Sequence, residues 1–353
     1  MTLDWEAVKK KEEEAAAKEA DQDKILFTGL DNSGKTSIIL ALQRQYARIA
    51  LLKPTRQTQR RIFTYLGNTI AEWDLGGQAR YRISYLRQPG RYFDNTSVCA
   101  FVVDVQDVKR FDEALAYFGD VLAKFEELKI NPPVCVFFHK FDPDFVARSP
   151  SRQAELVDLL SGKFREVNDD RHLIFFYATS IFEPWSVINA FSEILLLLYP
   201  KSELVDKTLQ EFATKIDADG VLVLDHNALV LGQYFKTKQD REIFQATTPY
   251  FLMLHDGFVV QKVPSSTMAV EVGDSFYLFS KITPEGLDTG DLGTDATARA
   301  GGEDAGGGRE SIVEKVTPFS EPRYLLVKKK TNEFDPQEVE SFAKVFFDLL
   351  ARK

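Results

Sequence analysis

A chain of 353 residues is long enough for two domains and too long for one simple hydrophobic core. Its 44% hydrophobic and 27% charged residues are typical of a soluble globular protein, and a net charge of −9 argues against a dedicated nucleic-acid surface. The two cysteines, Cys99 and Cys135, lie in strand-like runs and are expected to be core thiols in a reducing compartment. No signal peptide is visible, and no apolar run approaches the ~18–20 residues of a membrane helix. We therefore expect a cytoplasmic protein that reaches a membrane only peripherally, through partners.

The first 22 residues are rich in Ala, Glu and Lys, which predicts a charged helical extension with weak apolar content. Its apolar residues Leu3, Trp5 and Val8 could dock one helical turn onto another surface. A membrane anchor is the sharper alternative, but the second residue is Thr2 and not the glycine that myristoylation requires. A solvated or docking helix is therefore favoured.

Residues 24–40, KILFTGLDNSGKTSIIL, hold the most specific motif of the chain. A short apolar run enters a turn that satisfies G-x-x-x-x-G-K-[ST] and opens into an apolar helical pattern, which is the context this motif requires. Glycines let backbone N–H groups surround phosphate oxygens, and the positive end of the helix points at the same charge. Lys35 is expected to reach the β- and γ-phosphates, and Thr36 to bind Mg²⁺ through its hydroxyl. The predicted phosphate-binding residues are Gly29, Asp31, Asn32, Ser33, Gly34, Lys35, Thr36 and Ser37.

Strand-like and helical runs alternate from residue 24 to residue 199, which predicts βα units around a mainly parallel sheet. Gly67-Asn68 has the chemistry of a two-residue hairpin loop between two of the strands. Ligands are expected at the carboxyl ends of the parallel strands. The predicted strands are 24–28, 61–66, 69–73, 97–103, 134–139 and 173–178, and the predicted helices are 35–47, 111–128, 152–166 and 185–197.

Polar residues follow the strand that ends near residue 73, in the sequence DLGGQ. An aspartate at this position, Asp74, can hold the Mg²⁺ shell through water, and Gly77 can donate its N–H to a terminal phosphate. Gln78 can orient a hydrolytic water. Thr55, in the polar loop before the second strand, can offer oxygens to Mg²⁺ when a γ-phosphate is present. A threonine after a proline is otherwise an ordinary turn residue.

A second polar stretch, His139-Lys140-Phe141-Asp142, follows the strand 134–139. The Asp142 carboxylate can accept two hydrogen bonds from guanine, whereas adenine offers no matching donors. Hydrogen bonds to a charged group contribute roughly 1.5–3 kcal/mol each, so this residue type selects the base. Lys140 is expected to lay its stem along the base, and the small Ala178 to let a backbone N–H approach the base oxygen.

Taken in order, these stretches resemble the small GTPases. GLDNSGKTS with WDLGGQ is similar to the Arf branch, while HKFD, TSI at 179–181 and FEPWSVINAFSEILLLLYP are similar to the Rag/Gtr branch. The resemblance covers about residues 23–200. It implies that Lys35 and Thr36 bind phosphate and Mg²⁺, and that Thr55 belongs to the first switch. It also implies that Asp74 and Gly77 belong to the second switch, that Gln78 positions water, and that His139, Lys140 and Asp142 recognise guanine.

Two features depart from the pattern of the small GTPases. His139 replaces the usual asparagine, so the brace between the guanine loop and the phosphate loop must differ in geometry. No arginine is identifiable in the chain itself as a catalytic finger, because Arg80 and Arg82 could equally be solvated or face a partner. Intrinsic hydrolysis is therefore expected to be slow, with an activating partner supplying charge.

Residues 201–353 predict a second, α+β domain. Helical patterns at 202–216, 238–254 and 335–350 flank strands at 220–224, 229–235, 257–263, 267–272, 275–282 and 324–328. The tight turn His226-Asn227 joins the first two strands, and a Gly/Ala/Asp-rich insertion at 284–310 is expected to be mobile. The order resembles the roadblock/longin-like domain that follows the GTPase domain in Rag/Gtr proteins, which implies dimerisation, with a copy or a related GTPase. The isolated His172, His226 and His255 are expected to be turn or core residues.

The sequence thus favours an α/β P-loop GTPase that binds GTP or GDP with Mg²⁺, hydrolyses GTP slowly, and signals to activating and effector proteins. Lys35 and Gln78 are the catalytic candidates, and Thr36, Thr55 and Asp74 the metal candidates. A nucleotide-locked scaffold without turnover is the alternative. An ATP-using P-loop kinase is a weaker one, because it does not explain Asp142.

Overall fold

A computed structural model describes residues 22–53, 55, 57–65, 68–148, 150–199, 202–225, 228–261, 267–283, 286–287 and 323–351. The chain divides into two compact units, Met1–Pro200 and Lys201–Lys353. The predicted N-terminal extension (except its last residue), the turn at 226–227 and the insertion 284–310 (except 286–287) lie outside the described residues. None of the described helices combines the length and apolar composition that a membrane-crossing helix requires.

The first unit contains one six-stranded sheet in the order β2-β3-β1-β4-β5-β6. Among the described residues, β2 and β3 pair antiparallel and the other strand pairs of this sheet are parallel. The predicted mainly parallel α/β fold class is confirmed. The strands are β1 (Asp23–Gly29), β2 (Thr58–Tyr65), β3 (Asn68–Leu75), β4 (Val98–Asp104), β5 (Val134–His139) and β6 (Ile174–Thr179).

Helices cover both faces of this sheet, which is why its central strands are almost continuous apolar runs. β5 is buried along its whole length, and Phe101 of β4 packs its ring 5.1 Å from Phe118 and 5.9 Å from Phe164. The helices are α1 (Lys35–Leu42), α2 (Tyr46–Ile49), α3 (Ala79–Arg87), α4 (Pro89–Tyr92), α5 (Phe111–Glu127), α6 (Pro143–Ala147), α7 (Pro150–Asn168) and α8 (Pro184–Leu198).

The helix predicted over 35–47 is shorter in the structure, because α1 ends at Leu42. Arg44 adopts the left-handed conformation (φ 57°), its N–H donates to Ala41, and the N–H of Gln45 donates to Leu40. This pair of bonds is the Schellman arrangement that closes helices. Arginine rarely adopts this conformation, so the sequence carried no glycine signal for the break.

The second unit contains an entirely antiparallel sheet in the order β11-β10-β12-β7-β8, with β9 also pairing with β10. Gly232 faces Val205 and Gly220 faces Phe244, so α9 and α10 lie on opposite faces of the sheet. Phe212 of α9 stacks on Phe342 of α11 with ring centroids 4.2 Å apart. The elements are α9 (Ser202–Lys215), β7 (Ala218–Leu224), β8 (Val230–Phe235), α10 (Lys238–Val260), β9 (Thr267–Val272), β10 (Ser275–Thr283), β11 (Gly286–Leu287), β12 (Arg323–Lys329) and α11 (Pro336–Ala351).

The strand predicted over 257–263 is wrong, since residues 257–260 belong to the last turn of α10. This helix is 23 residues long and buries Phe244, Thr248, Leu252 and His255, a spacing of three and four residues. Burial at helical spacing therefore prevailed over the local strand propensity of the run at 258–260.

Candidate functional site

A cleft of about 160 Å³ lies at the carboxyl edge of the first sheet. Strand ends, the start of α1 and the start of α3 meet there, as expected for a parallel sheet. Most of the residues predicted to bind phosphate or metal line it. The lining residues are Asp31, Asn32, Gly34, Lys35, Thr36, Ser37, Leu52, Lys53, Thr55, Gly77 and Gln78.

The P-loop, residues 29–36, needs glycine at both ends for conformational and steric reasons. Gly29 has φ 136° and Gly34 has φ 97°, a region that residues with a Cβ rarely adopt. A Cβ on Gly29 would lie 2.3 Å from the carbonyl oxygen of Val102. Asn32, with φ 60°, adds a left-handed residue at the tip. This backbone places the unpaired N–H groups at the start of α1 beside the cleft.

The Lys35 side chain is 5% exposed and folds back along the P-loop. Its Nζ donates to the carbonyls of Leu30 (2.6 Å) and Gly29 (3.1 Å), and to Ser33 Oγ (3.3 Å). Burial lowers the pKa of Lys35 to about 8, and the nearby carboxylates of Asp74 and Asp31 act in the opposite direction. A phosphate group in the cleft would favour the charged form of this side chain.

The three predicted metal ligands lie together although they come from three separate stretches. Thr36 Oγ1 is 2.6 Å from Thr55 Oγ1 and donates to Asp74 Oδ2 at 2.6 Å. Asp74 is fully buried, and its Oδ1 has no hydrogen-bond partner among the described residues. A buried carboxylate oxygen beside two hydroxyls is an oxygen-rich set of the kind that Mg²⁺ prefers.

The dipeptide Gly76-Gly77 brings three loops into contact. Gly76 donates its N–H to Gln57 (2.8 Å), and a Cβ on it would lie 2.7 Å from the Thr55 carbonyl oxygen. Gly77 accepts a hydrogen bond from the N–H of Asp31 at 3.1 Å, and a Cβ on it would lie 2.2 Å from that nitrogen. Gln78 follows at the N-cap of α3, half-buried and lining the cleft.

The residues predicted to recognise guanine lie at the ends of β5 and β6. Asp142 accepts a hydrogen bond from Ser180 Oγ at 2.6 Å on one carboxylate oxygen and from Gln106 Nε2 at 3.0 Å on the other. Lys140 has φ 71° and pairs its Nζ with Asp104 at 2.6 Å. Ala178 lies one residue before the end of β6, opposite Phe138 in the register.

The His139 imidazole lies between the end of β6 and the P-loop. It is 1% exposed, and its Nδ1 lies 3.0 Å from Thr179 Oγ1. Its ring lies against the P-loop, because a Cβ on Gly34 would come within 2.4 Å of His139 Cδ2. Burial, and to a lesser extent Lys140, lower the pKa of His139 to about 3, so the ring is neutral at physiological pH. A packed, neutral ring therefore lies against the P-loop at the position where the small-GTPase pattern has asparagine.

Sequence reasoning missed two polar residues around this site, Gln106 and Arg110. Gln106 bridges the Lys140 carbonyl (2.7 Å) and Asp142, and Arg110 contacts Asp31 in the P-loop. Both follow the carboxyl end of β4, so the edge-of-sheet rule could have found Gln106. Arg110 lies 79 positions from Asp31, and no local pattern predicts that contact.

A six-stranded, mainly parallel sheet whose first strand leads through a P-loop into a helix defines the class of P-loop nucleotide-binding proteins. The Gtr1/RagA G protein conserved region matches residues 24–249, well over half of the chain, so the protein belongs to this family of Rag-like small GTPases.

Two relatives are "ADP-ribosylation factor-like protein 3" from Chlamydomonas reinhardtii and from Caenorhabditis elegans. The first is 36% identical over 38% of this chain and 67% of its own length, and the second 33% over 39% and 71%. A solved small GTPase, Arl6 BBS3 from Trypanosoma brucei with bound GppNp, aligns with 49% of this chain and 95% of its own. Its TM-score is 0.40 at 23% identity.

Proposed function

We propose that this G protein binds GTP and GDP with Mg²⁺, hydrolyses GTP slowly, and acts as a switch that partner proteins recognise. One observation carries the proposal: Thr36, Thr55 and Asp74 converge within hydrogen-bonding distance beside the P-loop and Lys35. A simple anion site would not need the two hydroxyls and the buried carboxylate.

Thr36 and Thr55 would hold Mg²⁺ through their hydroxyls, and Asp74 would hold it directly or through water. Asp74 Oδ1, buried and without a partner among the described residues, supplies an acceptor that such an ion satisfies. When bound, Mg²⁺ neutralises charge that develops on the β- and γ-phosphates.

The remaining residues have separable roles in hydrolysis. Gln78 orients the attacking water toward the γ-phosphate, and the N–H of Gly77 donates to a γ-phosphate oxygen. Lys35 would leave the P-loop carbonyls, which it contacts at 2.6 and 3.1 Å, and bind phosphate oxygens instead. The P-loop N–H groups stabilise the charge spread over the phosphoryl oxygens.

Guanine would be selected by Asp142, because its carboxylate accepts from both N1–H and N2–H₂ of the base. Ser180 and Gln106, which donate to this carboxylate at 2.6 and 3.0 Å, hold it at the strand ends. The His139 ring packs against the P-loop at Gly34.

Slow intrinsic turnover follows from the engagement of the nearby arginines. Arg82 donates to the Gly77 carbonyl and pairs with Glu113, and Arg110 pairs with Glu113 and Asp31. An arginine supplied by an activating partner adds about 10³–10⁵ in rate in this reaction class.

Dimerisation would use the second unit, which we propose to be roadblock-like. Among the described residues its helix α10 exposes four large apolar side chains, Tyr250 (71%), Met253 (66%), Leu254 (48%) and Val260 (75%). Exposed apolar residues on one helix face are typical of interaction surfaces. The buried free thiols Cys99 and Cys135 suit a cytoplasmic location.

Nucleotide-dependent thermal stability tests the binding proposal. We expect GDP and GTP with Mg²⁺, but not ATP, to raise the Tm of the full chain, because bound ligand stabilises the folded state. EDTA should remove much of the gain. Equal stabilisation by ATP would exclude guanine selection. Light scattering of the full chain then separates a homodimer from a chain that needs a different partner.

Phosphate release distinguishes the switch from the nucleotide-locked scaffold. Gln78→Leu should keep GTP binding and lower hydrolysis at least tenfold, because the attacking water loses its orienting amide. Gln88→Leu, the same change at an exposed residue at the end of α3, is the matched control and should hydrolyse GTP like the wild type. Binding without any release by the wild type, even with an activating partner, would favour the scaffold.

A further inference from the structure

A closed set of contacts surrounds the Gly77 carbonyl beside the cleft. Arg82 Nε donates to this carbonyl at 2.9 Å, and the N–H of Asp31 donates to it at 3.1 Å. Arg82 Nη2 pairs with Glu113, Glu113 accepts from Arg110 Nε at 2.8 Å, and Arg110 Nη2 donates to Asp31 Oδ1 at 2.8 Å. We call Asp31, Arg110, Glu113 and Arg82, closed through Gly77, the charged ring.

The charged ring is neutral overall and partly shielded from water. Its two arginines balance its two carboxylates, and the Arg82 side chain is only 11% exposed, over the Tyr117 ring at 4.9 Å. Hydrogen bonds from Arg110 and Arg82 lower the pKa of Glu113, so this carboxylate stays charged at neutral pH. The ring therefore persists across the physiological pH range.

Each arginine of the ring uses the fork of its guanidinium. Arg82 reaches Gly77 with Nε and Glu113 with Nη2, while Arg110 reaches Glu113 with Nε and Asp31 with its two terminal nitrogens. A lysine carries the same charge at a single point and cannot span two acceptors in this way. The geometry thus requires arginine and not merely positive charge.

The charged ring connects the P-loop, the Gly77 segment and helix α5. Asp31 lies in the P-loop, Gly77 lies in the stretch expected to form the second switch, and Glu113 lies in the first turn of α5, a helix with many buried residues. We propose that Arg82, Glu113 and Arg110 are positioning residues that hold Gly77 against the P-loop, where its N–H and the adjoining Gln78 meet the γ-phosphate. This inference rests on the proposed GTPase function and deepens it.

The consequence is selectivity for the triphosphate. GDP has no γ-phosphate and so does not contact Gly77, whereas GTP gains that contact only when Gly77 is held in place. Loss of the ring should therefore lower the affinity for GTP and the rate of hydrolysis, and leave the affinity for GDP nearly unchanged.

The test compares Arg82→Ala, Arg82→Lys and Glu113→Ala with the wild type in the full chain. We expect hydrolysis of pre-bound GTP, and the ratio of GTP to GDP affinity, to fall about tenfold in all three, with GDP affinity within twofold. The double variant Arg82→Ala/Glu113→Ala should be no worse than either single variant, because both break the same link. Arg80→Ala, an exposed arginine two positions away, is the charge-matched control.

Three results would overturn the inference. The first is a wild-type rate of hydrolysis and a wild-type affinity ratio in Arg82→Ala. The second is an equal loss of affinity for GDP and GTP, and the third is wild-type hydrolysis and affinity ratio in Arg82→Lys. If Arg82→Ala fails to fold, Glu113→Ala, whose side chain is 42% exposed in the wild type, decides by the same readouts.

Failure of the proposed function itself gives a different result. A wild type that binds no guanine nucleotide excludes the GTPase assignment, and the ring is then tested by hydrogen exchange of the nucleotide-free protein. Exchange at residues 76–82 should be faster in Glu113→Ala than in the wild type. Unchanged exchange would show that the ring does not hold Gly77.

Discussion

At the proposed phosphate end of the site the backbone forms most of the surface, whereas at the proposed base end side chains do. Gly29, Gly34 and Gly77 have no room for a Cβ, and the first two lie at positive φ. At the base end Asp142 is held by the side chains of Ser180 and Gln106. Backbone-built recognition suits a ligand part that every nucleotide shares, and side-chain recognition suits the part that distinguishes them.

The largest effect is expected at Asp142, the side chain that we propose selects the base. Asp142→Asn should weaken GDP binding by about 10²–10⁴, because two hydrogen bonds to a charged acceptor are lost. It should gain affinity for xanthosine diphosphate, which offers an acceptor where guanine has a donor. Competition binding with both nucleotides measures the change. Asp144→Asn, an exposed carboxylate two positions further along, should leave both affinities unaltered.

A methyl group at Gly34, where the P-loop packs against His139, should have the next largest effect. Gly34→Ala puts a Cβ at φ 97°, 2.4 Å from the His139 ring, so the P-loop and the imidazole must separate. We expect roughly a hundredfold loss of affinity for GDP, since left-handed strain alone costs about 1–2 kcal/mol. Titration of the purified variant gives the value. Gly90→Ala, where a Cβ meets nothing within 4 Å, is the matched control. Similar GDP affinities in the two variants would contradict the proposal that close packing of Gly34 on His139 supports binding.

A smaller effect comes from the titration of Lys35 at the phosphate end. Its pKa of about 8 means that the free protein loses the charged form as pH rises above 8, and phosphate binds the charged form better. GDP affinity should be level below pH 8 and fall about tenfold by pH 9. Lys35→Arg keeps its charge throughout this range, so its affinity should stay level. If the GDP affinity of the wild type stayed level up to pH 9, the charge of Lys35 would not determine the affinity.

The smallest expected effect concerns stability and not binding. His139 has a pKa of about 3 when folded and a higher, ordinary value when unfolded, so the unfolded chain binds the proton below about pH 6.5. Its contribution to stability is therefore lost as pH falls. Between pH 7 and 5.5 the free energy of unfolding of the wild type should drop by about 1 kcal/mol more than that of His139→Asn. All three tryptophans precede residue 200, so their fluorescence reports the first unit. Equal slopes would contradict the buried neutral ring.

The sequence predicted the parts of this site that depend on local chemistry. The glycines around Lys35, Asp74 near the end of β3, and Asp142 after β5 each indicate a strand end or a turn. The fold then brings Thr36 within hydrogen-bonding distance of both Thr55 and Asp74.

Contacts between distant stretches were beyond sequence reasoning. The pairing of Arg110 with Asp31 depends on how α5 packs beside the P-loop, and no periodicity encodes it. The strand predicted at 257–263 was wrong for a related reason. Packing against the sheet keeps α10 helical to Val260, although its β-branched residues favour a strand.

The dipeptide Gly76-Gly77 also limits how this protein can vary. With one glycine against the Thr55 loop and the other against Asp31, a side chain at either position would separate segments that must touch. Substitutions around the base, such as the histidine at 139, leave that backbone contact intact. Descendants of this chain can therefore change what surrounds the base while residues 76 and 77 stay fixed.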